Sequence, residues 1–206
     1  MQESLSRKNK IQFGLLLFVA VMVISFTFYF YQVFFAANIL VDTPEQQIVI
    51  EKGKSFNELL ENLYDERIVK DRVSFAFVSK IMKYQEKVRP GIYELKPNMT
   101  NVQAVRLLRG GMQKPVMVTL NNVRTPNDLI LKVSEQLMMS PEELSSAYYS
   151  MADSNNYGFD SLNLLSLFLP NTYEVYWTIT PLGFLNKMQK EYENYWTIER
   201  KKRAET

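Results

Sequence analysis

Residues 47–60, QIVIEKGKSFNELL, carry the signals that decide the fold of this chain. Residues 47–51 are rich in β-branched side chains and predict a strand, and the Lys-Gly pair that follows predicts a turn. Ser55 and Glu58 form a capping box, in which each side chain accepts a hydrogen bond from a backbone N–H at the start of a helix. A strand followed directly by an amphipathic helix predicts an α+β fold.

Strand, turn and helix-cap signals of the same kind recur between residues 61 and 112. The further predicted elements are a helix over Arg72–Tyr84 capped by Asp71, a strand over Ile92–Leu95, and a helix that runs from a capping box at Thr100 and Gln103 to Gly110 and Gly111. Residues 47–112 therefore predict one small α+β module of the order strand, helix, helix, strand, helix.

A second part, residues 113–206, begins in a similar way. Its predicted elements are a strand at 115–120, a helix from Thr125 with Pro126 at its first position, a helix from Ser140 through Tyr149, a loop at 150–161, and a long helix at about 181–204. The segments SFNELL and TPNDLI each follow a strand and open a helix. They are open to interpretation as an internal repeat or as two ordinary helix starts.

Residues 11–36 contain no charged side chain. A helix over this range is ~39 Å long, enough to cross a ~30 Å hydrocarbon core. The basic residues in the tail 1–10 predict a cytoplasmic N-terminus and an outer location for the part after the connector 37–46. A cleaved signal peptide is the alternative, but its apolar region is shorter, about 7–15 residues. We therefore expect a single-pass anchor.

The composition excludes several classes of function. With no His and no Cys, the chain has neither a Ser-His-Asp or Cys-His nucleophile nor a His/Cys zinc site. Catalysis would use carboxylates, Lys, Tyr or backbone groups. The net charge of +2 does not favour a nucleic-acid partner.

Five segments follow the apolar run in a characteristic order: IVIEKGKSFNELLENL, VRPGIYEL, TNVQAVRLLRGG, PVMVTLNNVRTPNDLILKV and LFLPNTYEVYW. Together they resemble the YceG-like endolytic murein transglycosylases, the MltG family, over roughly residues 12–206. The resemblance implies an inner-membrane anchor, a LysM-like module at 47–112 and the start of a mixed α/β catalytic domain at 113–206. Because the family's catalytic domain continues further, we expect this chain to be the N-terminal portion of a longer protein.

The same resemblance implies an activity. Members cleave peptidoglycan glycan strands and leave 1,6-anhydro-muramyl ends during cell-wall assembly, with no metal or organic cofactor. Cell-wall synthases or division proteins are the implied protein partners. A pyridoxal-phosphate lyase activity sometimes attached to the family is not expected, since the chain has no Gly-rich phosphate-binding loop.

This sequence differs from the family motif at the position of the catalytic acid. Counting back from Pro170 places the usual catalytic Glu at Leu165, and the usual Asp is Asn171. The non-catalytic alternative is therefore a peptidoglycan-binding or scaffold module.

Lytic transglycosylation needs one carboxyl group, which first donates and then accepts a proton, and an apolar setting helps that group to stay protonated. Glu174 lies among aromatic residues in LFLPNTYEVYW and is the candidate acid/base; the alternative is a solvent-facing strand residue. The candidate glycan-binding residues are Asn171, Thr172, Tyr173, Tyr176 and Trp177.

Three other groups of residues have two interpretations each. The hydroxyls of Ser55, Thr100 and Thr125 either contact N-acetyl groups or cap helices, and capping is favoured. Asn121 and Asn122 either bind sugar or form a turn. The stripe Leu185, Met188, Tyr192 and Trp196 favours a core face over a carbohydrate platform.

Overall fold

The computed structural model describes residues 7–41, 43–153, 158–161 and 163–204. The helices and strands, in chain order, are α1 (Arg7–Phe35), β1 (Gln46–Ile50), α2 (Phe56–Asp65), α3 (Arg72–Ile81), β2 (Gly91–Leu95), α4 (Asn101–Gly110), β3 (Val116–Leu120), α5 (Pro126–Ser134), α6 (Pro141–Asp153), β4 (Asn171–Val175), α7 (Pro181–Tyr195) and α8 (Ile198–Ala204). A 3₁₀ turn, Leu164–Leu167, precedes β4. The predicted α+β class is confirmed.

The chain divides into two compact units, Met1–Met112 and Gln113–Thr206, called here the first and second unit. Among the described residues, each unit contains one antiparallel two-stranded sheet, β1 with β2 and β3 with β4. From its first strand onward, the first unit follows the order strand, helix, helix, strand, helix. The second unit repeats this order, with a 3₁₀ turn before its second strand and a further helix, α8, at its end. The resemblance between SFNELL and TPNDLI thus extends to the order of elements in both units.

Local hydrogen bonds explain where the helices of both units begin. The hydroxyls of Ser55, Thr100 and Thr125 each accept a hydrogen bond from the backbone N–H three residues later, and each capping box is complete. Helix capping therefore accounts for these three side chains. Gly111 ends α4 in the left-handed conformation, at φ 67°, which glycine adopts without a steric penalty.

The first unit packs its helices on one face of its sheet. Ile48 and Ile50 of β1 and Tyr93 and Leu95 of β2 are buried, as the alternation of side chains in a strand requires. Phe75 of α3 lies in the same core. The hydroxyl of Tyr93 donates to the carbonyl of Arg89 at 3.1 Å, so the aromatic ring is buried without an unpaired polar group.

The end of α1 belongs to the core of the first unit. Val33 is buried, and its carbonyl accepts a hydrogen bond from the Asn101 side chain at 2.9 Å. Asn38 and Ile39, at the start of the predicted connector 37–46, are also buried. This part of the connector is therefore packed into the fold, and the apolar helix is fixed directly to the first unit.

The second unit buries the inner face of its sheet against α5, α6 and α7. Val118 and Leu120 of β3 face the same core as Tyr173 and Val175 of β4. Leu185 and Met188 of α7 are fully buried there, which confirms the interpretation of the α7 stripe as a core face at these two positions.

Three predicted element boundaries are wrong. The helix predicted over 72–84 ends at Ile81, because Lys83 adopts a positive φ of 54° that does not continue a helix. The helix predicted to end at Tyr149 continues to Asp153, and residues 154–157 of the predicted loop lie outside the described residues. The long helix predicted at 181–204 is broken, because Trp196 leaves the helical region at ψ 68°.

Candidate active site

The candidate site lies on β4, the strand formed by the motif residues Asn171–Val175. It pairs antiparallel with β3, so that Glu174 is opposite Met117 and Tyr173 is opposite Val118. Successive side chains of a strand point to opposite faces of the sheet. The motif is therefore split between a buried inner face and an open outer face of the second unit.

Glu174 lies on the outer face. Its side chain is exposed, and its cross-strand neighbour Met117 is 61% exposed. Tyr173 and Val175, which flank it in the sequence, point away from it into the core. The described residues thus do not supply the apolar surroundings expected for an acid/base at this position, and the catalytic role of Glu174 stays a prediction.

Leu165, at the usual acid position of the resembled family, lies in the 3₁₀ turn before β4. Its side chain is half-buried and packs against the core of the second unit, and its backbone carbonyl accepts a hydrogen bond from the Phe168 N–H at 3.1 Å. An aliphatic side chain cannot transfer a proton. The packing of the Leu165 side chain against the core therefore stabilises the 3₁₀ turn.

Tyr173 lies in the core of the second unit and has a structural role there. The ring is buried, and the hydroxyl donates to the carbonyl of Leu169 at 2.7 Å. Burial raises the pKa of this hydroxyl above its usual range, with a smaller contribution from the negative charge of Glu191. The bond fixes the Leu169-Pro170 segment in front of β4, so the ring does not offer a face to a sugar in this structure.

Asn171 and Thr172 remain exposed at the start of β4. The Asn171 side-chain oxygen accepts a hydrogen bond from the Thr172 N–H at 2.8 Å. The Thr172 hydroxyl lies 3.0 Å from the hydroxyl of Thr119 on β3. Paired hydroxyls on an open sheet face are able to donate to and accept from a polar ligand such as a sugar.

The sequence did not predict Thr119 as a site residue, nor the hydrogen bonds that hold it in place. The side-chain oxygen of Gln136 accepts a hydrogen bond from the Thr119 N–H at 3.3 Å, and the Gln136 amide donates to the carbonyl of Lys132 at 2.7 Å. These contacts join α5 to the strand. No local pattern marks Thr119, because its pairing with Thr172 depends on a strand register that spans 53 residues.

Tyr176 and Trp177 follow β4 in a turn. Tyr176 is exposed, and its carbonyl accepts a hydrogen bond from the Ile179 N–H at 2.9 Å. Trp177 is half-buried, and its carbonyl accepts one from Met138 at 2.8 Å. Of the three aromatic residues proposed to bind glycan, Tyr176 therefore presents the most accessible ring.

The pair Asn121 and Asn122 forms a turn after β3. Asn122 has a positive φ of 55°, which Asn tolerates better than most residues. The Lys132 ammonium donates to the Asn121 carbonyl at 2.6 Å. These contacts support the interpretation of the pair as a turn over the interpretation as a sugar-binding element.

With this geometry established, comparison with known proteins gives the family. The sequence profile of the YceG-like family matches residues 48–206. The chain belongs to the YceG-like family. The match begins within β1 and includes all later elements, so both units of this YceG-like chain contribute to it.

A 2.6 Å crystal structure of a yceG-like protein from Listeria monocytogenes is similar to this YceG-like chain at 17% sequence identity and a TM-score of 0.39. The similarity covers 79% of this chain and 59% of that protein, so this chain spans less than two thirds of its length. No curated protein matches the sequence.

Proposed function

We propose that this YceG-like chain serves in the lytic cleavage of peptidoglycan glycan strands at the cytoplasmic membrane. The observation that carries the proposal is the family match over residues 48–206, because the YceG-like family is known for lytic transglycosylase activity. The substrate would be the glycan strand, and the products would carry 1,6-anhydro-muramyl ends. Cell-wall synthases or division proteins are the proposed protein partners.

The apolar helix α1 supports the proposed location. Within the described residues, Lys8–Phe35 forms one helix that is long and apolar enough to cross a membrane, and its most apolar 18-residue window is not buried in the protein. Lys8 and Lys10 stand at its start and favour a cytoplasmic N-terminus. The two units would then lie on the outer side, where the glycan strands are.

The proposed chemistry uses one carboxyl group on the outer face of β4. Glu174 would protonate the glycosidic oxygen and then accept a proton from the 6-hydroxyl of the sugar, which closes the anhydro ring. A glycan strand laid across this face would remove water from Glu174, and desolvation favours the neutral form of a carboxyl. Thr172 on the same face and Tyr176 beside it would supply hydrogen bonds and a ring surface.

The test uses the full chain reconstituted in lipid vesicles and incubated with purified sacculi. Mass analysis of the soluble products would detect 1,6-anhydro-muramyl ends. We expect the wild type to release them, the Glu174→Gln variant to lose release, and the Glu135→Gln variant, which changes an exposed carboxylate at the end of α5, to match the wild type. Undiminished release by Glu174→Gln would remove Glu174 from the mechanism.

A second function is favoured by a specific observation. The usual acid position, Leu165, packs against the core, and Glu174 is exposed to solvent. A chain with this arrangement would hold glycan without cutting it, as a binding or scaffold module. Co-sedimentation with sacculi, no anhydro products from the wild type, and weaker binding by a Tyr176→Ala variant would support this function over cleavage.

A further inference from the structure

Helix α3 (Arg72–Ile81) of the first unit has an apolar row on its solvent-exposed side. Val73, Phe77 and Ile81 are spaced four residues apart and form one apolar row along the helix. Val73 is 65% exposed and Ile81 54% exposed. The other side of the helix, with Phe75 and Val78, is fully buried in the core. Helix α3 therefore carries apolar side chains on its exposed side as well as on its buried side.

This row continues the apolar surface of α1. The ring of Phe77 meets the ring of Phe34 edge-to-face, with the centroids 6.2 Å apart. The start of α3 also lies against the last turns of α1, since Tyr29, Lys70 and Ser74 line one shallow cleft. The row is thus attached to the last two turns of the apolar helix within one folded unit.

The depth of this junction matches the lipid headgroup region. Tyr29 lies five residues before Phe34, the residue of α1 that contacts Phe77, a distance of ~7.5 Å along the helix axis. Tyr29 and Tyr31 are exposed aromatic residues of the kind that concentrate at membrane interfaces. If these rings mark the interface, α3 lies beside them in the headgroup layer, which is about 5–8 Å thick on each side of the bilayer.

The charges around the row fit a lipid surface. Lys70, Lys80 and Lys83 are exposed before, on and after α3. Long basic side chains keep their charge in the headgroup layer while their stems cover apolar groups. Among the acids, Asp71 accepts hydrogen bonds from the Val73 and Ser74 N–H groups and caps the helix. Glu61 of α2 lines one cleft together with Val73.

We propose that the row Val73, Phe77 and Ile81 is a second membrane contact, which inserts into the outer headgroup layer and holds the first unit against the bilayer. The occupant is the lipid bilayer. The reasons are the direct continuity with α1 and the basic residues around the row. The proposal rests on the proposed insertion of α1 in the membrane.

The absence of Cys from the chain makes the test direct. Four single-Cys variants of the full chain, Val73→Cys, Ile81→Cys, Val49→Cys and Val21→Cys, would be spin-labelled and reconstituted in phosphatidylcholine vesicles that contain phosphatidylglycerol. Phe77 is left unchanged so that its contact with Phe34 persists. Collision of each label with oxygen, which enters lipid, and with a water-soluble nickel complex would be measured. Val49 is the matched control, because it is 50% exposed and lies on β1 of the same unit.

We expect labels at 73 and 81 to show a ratio of oxygen to nickel accessibility several-fold above that of the label at 49. Labels at 73 and 81 as accessible to nickel as the label at 49 would overturn the proposal, and so would protection from both reagents, which marks a protein contact. The label at 21 distinguishes failure of the proposed membrane insertion of α1 from failure of the proposed contact of α3 with the bilayer. If it is accessible to nickel, the anchoring of α1 has failed; if it is in lipid while 73 and 81 are in water, only the second contact has failed.

Discussion

Replacing Asn101 by Ala tests the junction between the apolar helix and the first unit. Asn101 is 0% exposed at the start of α4. Its side-chain amide donates to the Val33 carbonyl at 2.9 Å and to the Ser74 hydroxyl at 3.0 Å, and its side-chain oxygen accepts from Asn38 at 2.6 Å. One side chain thus joins the end of α1, the segment after it, and helix α3.

The expected loss follows from these three hydrogen bonds. At about 1 kcal/mol net for each bond, Asn101→Ala should lower the free energy of unfolding of the first unit by about 3 kcal/mol. The Val33 carbonyl adds to the effect, because it lies in the last turn of α1, where helix carbonyls have no partner within the helix. A loss of 3 kcal/mol raises the population of the opened unit by about 150-fold.

Hydrogen exchange measured by mass spectrometry on the full chain in detergent micelles is the appropriate assay. Amides of α3 and α4 should exchange about 150-fold faster in the variant, while amides of α5 and α7 in the second unit should not change and serve as the internal control. Asn57→Ala, at an exposed position of α2, should change exchange by about 0.5 kcal/mol or less. The reasoning is refuted if Asn101→Ala alters exchange of α3 and α4 no more than Asn57→Ala does.

Two further predictions concern the second unit, where Trp fluorescence reports unfolding. Tyr173→Phe should lower its free energy of unfolding by about 1 kcal/mol, because the bond to the Leu169 carbonyl is lost, and an unchanged value in urea titration would contradict this role. Burial raises the pKa of Tyr148 to about 12, and among the described residues its hydroxyl has no partner. Since this pKa exceeds the unfolded value of about 10, only the unfolded chain ionises Tyr148 between about pH 10 and 12, so the stability present below pH 10 is lost as pH rises toward 12. Tyr148→Phe should therefore cost no stability at neutral pH and should reduce the alkaline loss, and an equally steep loss in both proteins would contradict the assignment.

The candidate site shows how far sequence reasoning reaches. The motif residues and the absence of an acid at Leu165 can be identified from the sequence alone. The surroundings of Glu174 stayed open between two interpretations, because the sequence does not show which face of the sheet the helices cover. The pairing of Thr172 with Thr119 could not be predicted from the sequence either, because it arises only when β4 aligns with β3.

The sequence by itself determined the features that depend on neighbouring residues. Helix starts such as Ser55 with Glu58 are closed by hydrogen bonds over three residues, and the length of an apolar run suffices to identify a helix of membrane-spanning length. Tertiary structure decided what depends on distant residues. It joined Asn38 to Asn101 across 63 positions and turned Glu174 toward solvent. Contacts between residues so far apart in the sequence depend on how whole helices and strands pack. A local pattern of residues does not show which of these elements will meet.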